Sequence, residues 1–489
     1  MKAKILHILT LIILTTGCKD VLNEEPFTFL SPDKLTTVEG AEAAVKATYA
    51  ELQGWSYYKE NLVSQLEFKS DYMISRGSRY PASVYNLDIT NRSRVDGSWS
   101  AFYSGINRAN VIISSFANLT LNKDLVEQWI AEAKVLRAFN YFHLVRCYGG
   151  VPLRLEPLQN LTDMAIKRSS EAEVYAQIIK DLTEAINSGK LPDDYNAAGK
   201  GRATIHAARV LLADVYLTSE KWTDAAATAL QVINSGKFQL ELDMTKMFRP
   251  EDGATHSGEI WSIKWTRKTG LGSYIQTFMH NPSPKYSSVG YFTYIGILEC
   301  PVIANWDNND KRKQLNLYNT DKSTPEGAGL STAVPMLFKK YIDSNPSGDE
   351  HGNDWPIYRY EDAMLIYAEA KSMADNNPGT EAYDAVNKIR RRAYGVDINT
   401  PAPGIDLAGL SKDAFREAIW DERAHEFMME AKRWYDLKRM GKTIAEQKIR
   451  ASGATKASGW GPEDWYWPIP RQEIDNNDLI SDADQNPGY

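Results

Sequence analysis

The feature that most limits what this chain can become is a helical period written in apolar side chains and cut off by glycine and proline. Val126, Trp129, Ile130, Ala133 and Leu136 fall three or four residues apart, and the same face continues through Phe142 and Val145. It stops at Gly149-Gly150 before Pro152. Such spacing sets one side of a long α-helix against a core, and the residues that follow cannot prolong it.

Helix pairs come next. Ile205, Ala208, Leu212 and Val215 mark one helix and Trp222, Ala226, Ala229 and Ile233 another, joined by a tight turn and closed by Gly236. The pair occupies about 34 residues, with small alanines where helices approach closely, which is the period of a tetratricopeptide-like unit. Later, Tyr360, Met364, Tyr367, Lys371 and Ala374 mark one face and Ala382, Val386, Ile389 and Ala393 the next, with Asn376-Asn377-Pro378-Gly379 turning between them. A last long helix is expected from Ser411, its N-cap, through Phe415, Ile419, Phe427, Ala431 and Leu437. The expected fold class is mainly α: a tetratricopeptide-like helical-hairpin scaffold with a long-loop, aromatic-rich binding face.

At 489 residues the chain exceeds the ~250–300 over which a single core usually grows, so one compact body with subregions is expected. Hydrophobic residues at 43% and charged residues at 24% are those of a folded, soluble body. Its 56 basic and 63 acidic side chains give a net charge of -7, which argues against nucleic acid as a partner, since that needs a basic, phosphate-neutralising surface.

The N-terminus carries an address. Lys2 and Lys4 open it, Ile5 to Leu14 form a short apolar run, and Thr15-Thr16-Gly17 precede Cys18. A positive start, an apolar stretch and small residues make residues 1–17 an export signal. The run is about half of the ~20 apolar residues that span a bilayer, and no later stretch is long and apolar enough to do so. A cysteine directly after small residues resembles a bacterial lipobox, whose cysteine receives lipid after cleavage. One departure is that Thr15 stands where Leu is usual, with Leu14 one position further out. Cys18 is then the lipidated residue, and residues 18–37 are anchor and tether. An ordinary signal peptide with a chance cysteine is the competing reading. The remaining cysteines, Cys147 and Cys300, make no disulfide framework.

Ser70 to Ser100 and Lys237 to Trp355 are rich in Gly, Pro, Asn, Asp and aromatic residues without a helical period, so both read as long loops. Irregular segments of that length inside a compact protein are usually functional or disordered, and the aromatic content argues against disorder. The composition suits a sugar: a pyranose ring has apolar C–H faces and a hydroxyl rim, matched by flat aromatic side chains beside Arg, Asn and Asp. The candidate ligand-binding residues are Arg76, Arg79, Tyr80 and Trp99 from the first region and Trp265, Tyr291, Tyr294 and Trp306 from the second. Packing beneath the loops is the competing reading for each aromatic, and Trp99, Tyr103, Ile106 and Asn110 fall at the spacing of a core helix.

Catalytic constellations are nearly absent. His425-Glu426 lacks the second histidine that a zinc-protease helix needs four residues on, where Met429 stands. No cysteine pair has metal spacing, no G-x-S-x-G elbow exists, and Gly199-Lys200-Gly201 lacks the pattern of a phosphate cradle. Neither a metal nor a cofactor is expected. A glycosidase needs only two carboxylates brought together by the fold, which spacing does not exclude. Asp421, Glu422, Arg423, Glu426, Glu430, Arg433 and Asp436 suggest acid/base machinery at first sight, but opposite charges three or four apart on a helix more simply pair and hold helices in register.

Arg137-Ala138, Tyr141-Phe142 and Tyr148-Gly149-Gly150-Val151-Pro152-Leu153 are similar to the long-helix signature of the SusD/RagB family of nutrient-binding lipoproteins of Bacteroidetes outer membranes. Arg202-Ala203-Thr204 with Leu211-Leu212-Ala213, Tyr367-Ala368-Glu369-Ala370 and Val386-Asn387-Lys388-Ile389-Arg390 are similar to later helices. Glu422-Arg423 with Glu426, Glu430, Arg433 and Asp436 resembles its charged helix. Trp467-Pro468-Ile469-Pro470 and Gln485-Asn486-Pro487-Gly488-Tyr489 close the chain as that family does, and Trp460, Trp465, Tyr466 and Trp467 therefore read as packing. The resemblance implies a lipid-anchored, cell-surface protein of the outer membrane that captures a nutrient, usually an oligosaccharide, and passes it without catalysis to a SusC-like TonB-dependent transporter. A surface glycoside hydrolase and a structural lid on the transporter remain the alternatives. The body divides into an N-terminal helical part (38–236), a loop-rich region (237–358) and a C-terminal helical part (359–489).

Overall fold

A computed structural model describes residues 35–158, 165–253, 256–276, 295–319 and 336–489. Cys18, Tyr291 and Tyr294 lie outside the described residues. Helix α1 (Val38–Ala50) begins where the Thr37 hydroxyl accepts from the Gly40 N–H. A π-helical turn (Trp55–Lys59), α2 (Asn61–Phe68), strand β1 (Met73–Ile74) and the short α3 (Tyr80–Ser83) lead into α4 (Ile89–Ser115). Next comes α5 (Lys123–Tyr148), the helix written by the Val126 to Val145 face. Asn122 caps its start, accepting from the N–H groups of Asp124 and Leu125. Gly149 ends it at φ 76°, a left-handed geometry that favours glycine.

α4 packs on α5, α6 (Glu171–Asn187) on α5, and α7 (Ile205–Thr218) on α6. α7 and α8 (Trp222–Ile233) form the hairpin expected from their alanine-rich faces. Beyond β2 (Glu259–Ile263), β3 (Ile295–Gly296), α9 (Pro301–Ala304), α10 (Lys311–Asn316), β4 (Leu317–Asn319), β5 (Met336–Phe338) and β6 (Trp355–Arg359), the second hairpin follows: α11 (Tyr360–Ala374) and α12 (Thr380–Tyr394). α11 packs against α8, so the two hairpins adjoin and the body is mainly α-helical. Two-stranded antiparallel ladders join β1 to β3, β2 to β6 and β4 to β5. α13 (Lys412–Glu426), α14 (Arg433–Arg439), α15 (Lys442–Ala451) and α16 (Arg471–Asn476) complete the chain. One hydrophobic core runs from Leu52 to Ile480, and a smaller one joins Leu35, Ala41 and Val45 of the N-terminal end to Phe116 and Trp129. Among the described residues no helix is long and apolar enough to cross a membrane.

Two expectations are corrected. The segment Ser70 to Ser100 is not one loop, because α4 starts at Ile89, where the Asp88 carboxylate accepts from the Asn91 N–H at 2.9 Å. Its first turns bury Asn91 and Ser98 beside Val95 and Trp99, so polar side chains fill positions that a hydrophobic period would mark. The single last helix is also broken. α13 stops at Glu426 and α14 starts at Arg433, with Met429 and Ala431 between them at φ 61° and 56°. Buried side chains replace the lost helical bonds: Glu67 accepts the Ala431 N–H at 2.6 Å, Tyr72 Oη accepts the Met429 N–H at 3.1 Å, and Lys340 donates to the Met428 carbonyl at 2.9 Å.

Candidate functional site

The two loop regions meet through backbone pairing. Met73 lies opposite Gly296 and Ile74 opposite Ile295, so β1 and β3 bring a segment of each together. Arg76 follows β1 and is exposed. Arg79 and Tyr80 then part company: Arg79 turns inward to a buried ion pair with Glu60 at 2.8 Å, whereas Tyr80 is 42% exposed.

A further aromatic pair joins Tyr274 of the second loop region to Trp55, which lies in neither region. Gly54 is extended, and after it the backbone coils into the π-helical turn that presents Trp55, 48% exposed. The Trp55 ring lies 4.9 Å from that of Tyr274, with the planes 50° apart. The turn is tied to the Tyr274 segment by one carboxylate. Glu350 accepts from Lys59 Nζ at 3.2 Å, from the Gly270 N–H at 2.9 Å and from the Gly272 N–H at 2.5 Å. A Cβ on Gly272 would come 2.5 Å from Glu350 Cβ, so only glycine allows this approach. Trp55 precedes both loop regions and so escaped a search confined to them. Gly54-Trp55-Ser56-Tyr57-Tyr58, an aromatic run behind a helix-breaking glycine, was the available signal, though it sends Tyr57 and Tyr58 inward.

Four of the sequence candidates are core residues instead. Arg79 neutralises buried Glu60. Trp265 is buried, its backbone N–H held by Asp354 at 3.0 Å. Trp306 is buried, stacks on His425 and donates its indole N–H to Asp310 at 2.9 Å. Trp99 is buried edge-on against Tyr148, centroids 4.9 Å apart, and shows only a rim to a separate cleft. Each ring fills space between helices, where its area counts most towards folding. Of the candidates in the described residues, Arg76 and Tyr80 remain at the surface.

The charged cluster of the last helices is a buried lock. Arg312 of α10 binds Glu422 and Glu426 at 2.7 and 2.8 Å. Arg359 of β6 binds Glu426 and Glu430, each at 2.8 Å, Arg392 of α12 binds Glu426 at 2.7 Å, and Lys340 binds Glu430 at 2.5 Å. The partners therefore come mostly from other elements rather than from neighbours on one helix, although Arg423 and Asp436 pair at 2.8 Å across the break. Burial opposes ionisation of Glu430, yet Arg359 and Lys340 overcome it and hold the carboxyl at about 2. Against the same penalty, Arg392, Arg359 and Arg312 hold Glu426 well below the ordinary range. A general acid needs the opposite shift. Glu67 has it, pushed up to about 7 by burial, but it is enclosed and accepts from Tyr72 and Ala431. Among the described residues no group of three or more His, Cys, Asp or Glu could hold a metal ion.

The fold recurs in solved structures. A SusD homolog from Bacteroides thetaiotaomicron superposes with a TM-score of 0.81 at 24% identity, covering 94% of this chain and 98% of that one. A laminarin binding SusD-like protein superposes with a TM-score of 0.74 at 26% identity, covering 92% and 99%. The SusD family profile matches residues 218–489, and one described as starch-binding associating with outer membrane matches residues 21–217. The chain belongs to the SusD family. Among its relatives, the SusD-like protein P2 of Formosa agariphila is 27% identical over the full length of both chains.

Proposed function

We propose that this protein captures a carbohydrate at the outer membrane, without chemical change, and delivers it to a SusC-like TonB-dependent transporter. The observation that carries the reading is the tilted pair of exposed Trp55 and half-buried Tyr274, whose segments the Glu350 strut ties together, with Arg76 and Tyr80 also exposed. Two aromatic planes offer C–H stacking, and the charged rim offers hydrogen bonds to hydroxyls. Tyr291 and Tyr294, which precede β3 in sequence, are kept with Arg76 and Tyr80 as proposed ligand contacts. A relative that binds laminarin, a profile described as starch-binding and a surface glycan-binding protein A from Bacteroides fluxus, similar at a TM-score of 0.75, support a sugar as the ligand. Lipidation of Cys18 anchors the body at the cell surface, with residues 19–37 as tether. The carboxylates of the charged cluster, Glu426 and Glu430, are paired and held low, which supports a structural role for that cluster over acid/base machinery.

Calorimetric titration of residues 19–489 against a panel of oligosaccharides, with each mixture checked for cleavage products, tests this. Saturable binding without cleavage is expected. Cleavage would revive the hydrolase, and silence across the panel would favour a lid on the transporter.

A further inference from the structure

The opposite side of α4 carries chemistry of its own. Against the Trp55 turn, α4 places Gly97, where a Cβ would come 2.8 Å from Ser56 Oγ, and Ser98, whose hydroxyl donates to the Ser56 carbonyl at 2.8 Å. Trp99, Tyr103 and Asn107 recur every four residues and lie roughly half a turn away around the helix. There they line a cleft of about 210 Å³, completed by Arg154 from the segment after α5 and by Gln472 and Asn476 of α16.

The walls of this cleft are fixed before any ligand arrives. Asn110 donates to the carbonyls of Arg154 and Glu156 at 3.0 and 3.1 Å, and Arg137 binds Asn110 Oδ1 at 2.9 Å and the Leu155 carbonyl at 3.1 Å. The Tyr103 hydroxyl donates to the Pro152 carbonyl at 2.8 Å, which sets its ring plane, and Trp99 tilts 49° to it at 5.0 Å. Arg154 is paired with Glu473 at 3.3 Å, so the lining offers no strong unbalanced cation. Asn107 spends its carbonyl on the Leu158 N–H at 3.0 Å and keeps its amide NH2 for the cleft. Aromatic edges beside amide groups suit a polyhydroxylated ring, and the volume lies below the ~300–1,000 Å³ of drug-sized pockets, which fits one ring rather than a chain.

We infer that this cleft is a second carbohydrate site, taking a single neutral pyranose unit with Trp99 and Tyr103 at its C–H groups and the amides of Asn107, Gln472 and Asn476 at its hydroxyls. Its ligand class rests on the carbohydrate reading above; its location does not. With one site on each side of α4, a long or branched glycan is held twice, and its apparent affinity exceeds that of either site.

The test uses saturation-transfer NMR and crystal soaks with methyl glycosides of glucose, galactose, mannose and xylose. In the Trp55→Ala chain at least one glycoside should still bind saturably and place a ring in the cleft, against Tyr103 and the rim of Trp99. Adding Asn107→Ala and Gln472→Ala, both solvent-accessible positions, should weaken that binding roughly tenfold with no change in unfolding midpoint. If no glycoside occupies the cleft, or the two substitutions leave binding untouched, the second site falls. Loss of all glycoside binding in Trp55→Ala alone, with the unaltered chain binding, would leave the loop-face reading standing and remove this one. Total binding by the chain that is undiminished in Trp55→Ala and wholly lost with Asn107→Ala and Gln472→Ala would keep the cleft and remove the loop face.

Discussion

Trp306 lies flat on His425, ring centroids 4.3 Å apart and planes 7° from parallel. With its indole N–H on Asp310 and His425 Nε2 2.9 Å from the Val302 carbonyl, the stack clamps the α9–α10 segment to α13. Trp306→Ala should therefore cost about 3–5 kcal/mol of stability in denaturant unfolding and leave carbohydrate affinity unchanged in calorimetry. A loss of affinity without a loss of stability would put Trp306 back among ligand contacts.

Trp55→Ala and Tyr274→Ala should behave in the opposite way. Neither removes a large core ring, and each removes half of the aromatic pair. Affinity for an oligosaccharide should fall by about tenfold or more while the unfolding midpoint moves little, since stacking of one ring is worth on the order of 1–2 kcal/mol. Equal affinity in both variants would exclude this face.

Glu350→Gln tests the strut. The amide keeps one acceptor oxygen but turns an NH2 towards Lys59 or a glycine N–H, so one donor loses its partner. Hydrogen exchange at Gly270 and Gly272 should accelerate, and carbohydrate affinity should drop several-fold. Unchanged exchange would mean that the loop is held by other contacts.

The buried lock should fail in acid. Glu430 is held at about 2 against an ordinary 4.5, so its contribution is fully present above the ordinary value and is lost as pH falls from about 4.5 towards 2. A shift of that size corresponds to on the order of 3 kcal/mol. Denaturant midpoints measured from pH 6 down to 3 should decline, and the decline should flatten in Glu430→Gln. At neutral pH Arg359→Met should cost about 3–5 kcal/mol, because it strands buried carboxylates without their cation.

Affinity purification through the intact outer membrane should recover a large β-barrel with this chain, and Cys18→Ser should release the chain from membranes. Recovery of the chain alone, with its anchor intact, would remove the transporter from the proposal.

Much of the scaffold was legible because its helices bury alanine, leucine and isoleucine at regular intervals; α5, α7, α8, α11 and α12 follow those intervals directly. α4 hid its first turns because Asn91 and Ser98 occupy buried positions. The break after α13 left no mark in the sequence, since the side chains that stabilise it, Glu67 and Tyr72, lie more than 350 residues upstream. The ligand face was harder still. Aromatic content separates neither Trp306, which is packed, nor Trp55, which is presented; that distinction depends on which backbone turns toward solvent. The exposed member of the pair, Trp55, came from a short π-helical turn that lies outside both aromatic-rich regions, whereas Tyr274 lies within the second.

The lock also sets when this chain can finish folding. Arg359 meets Glu426 and Glu430 from 67 and 71 residues further on, and Glu67 waits for Ala431, 364 residues away. A chain emerging from its N-terminus cannot neutralise these interior charges until nearly nine-tenths of it has been made. Products that stop short of residue 430 keep unpaired charges where the core must close, so they stay open to proteases. The distant carboxylates Glu426 and Glu430 thus make closure of the core depend on a nearly complete chain.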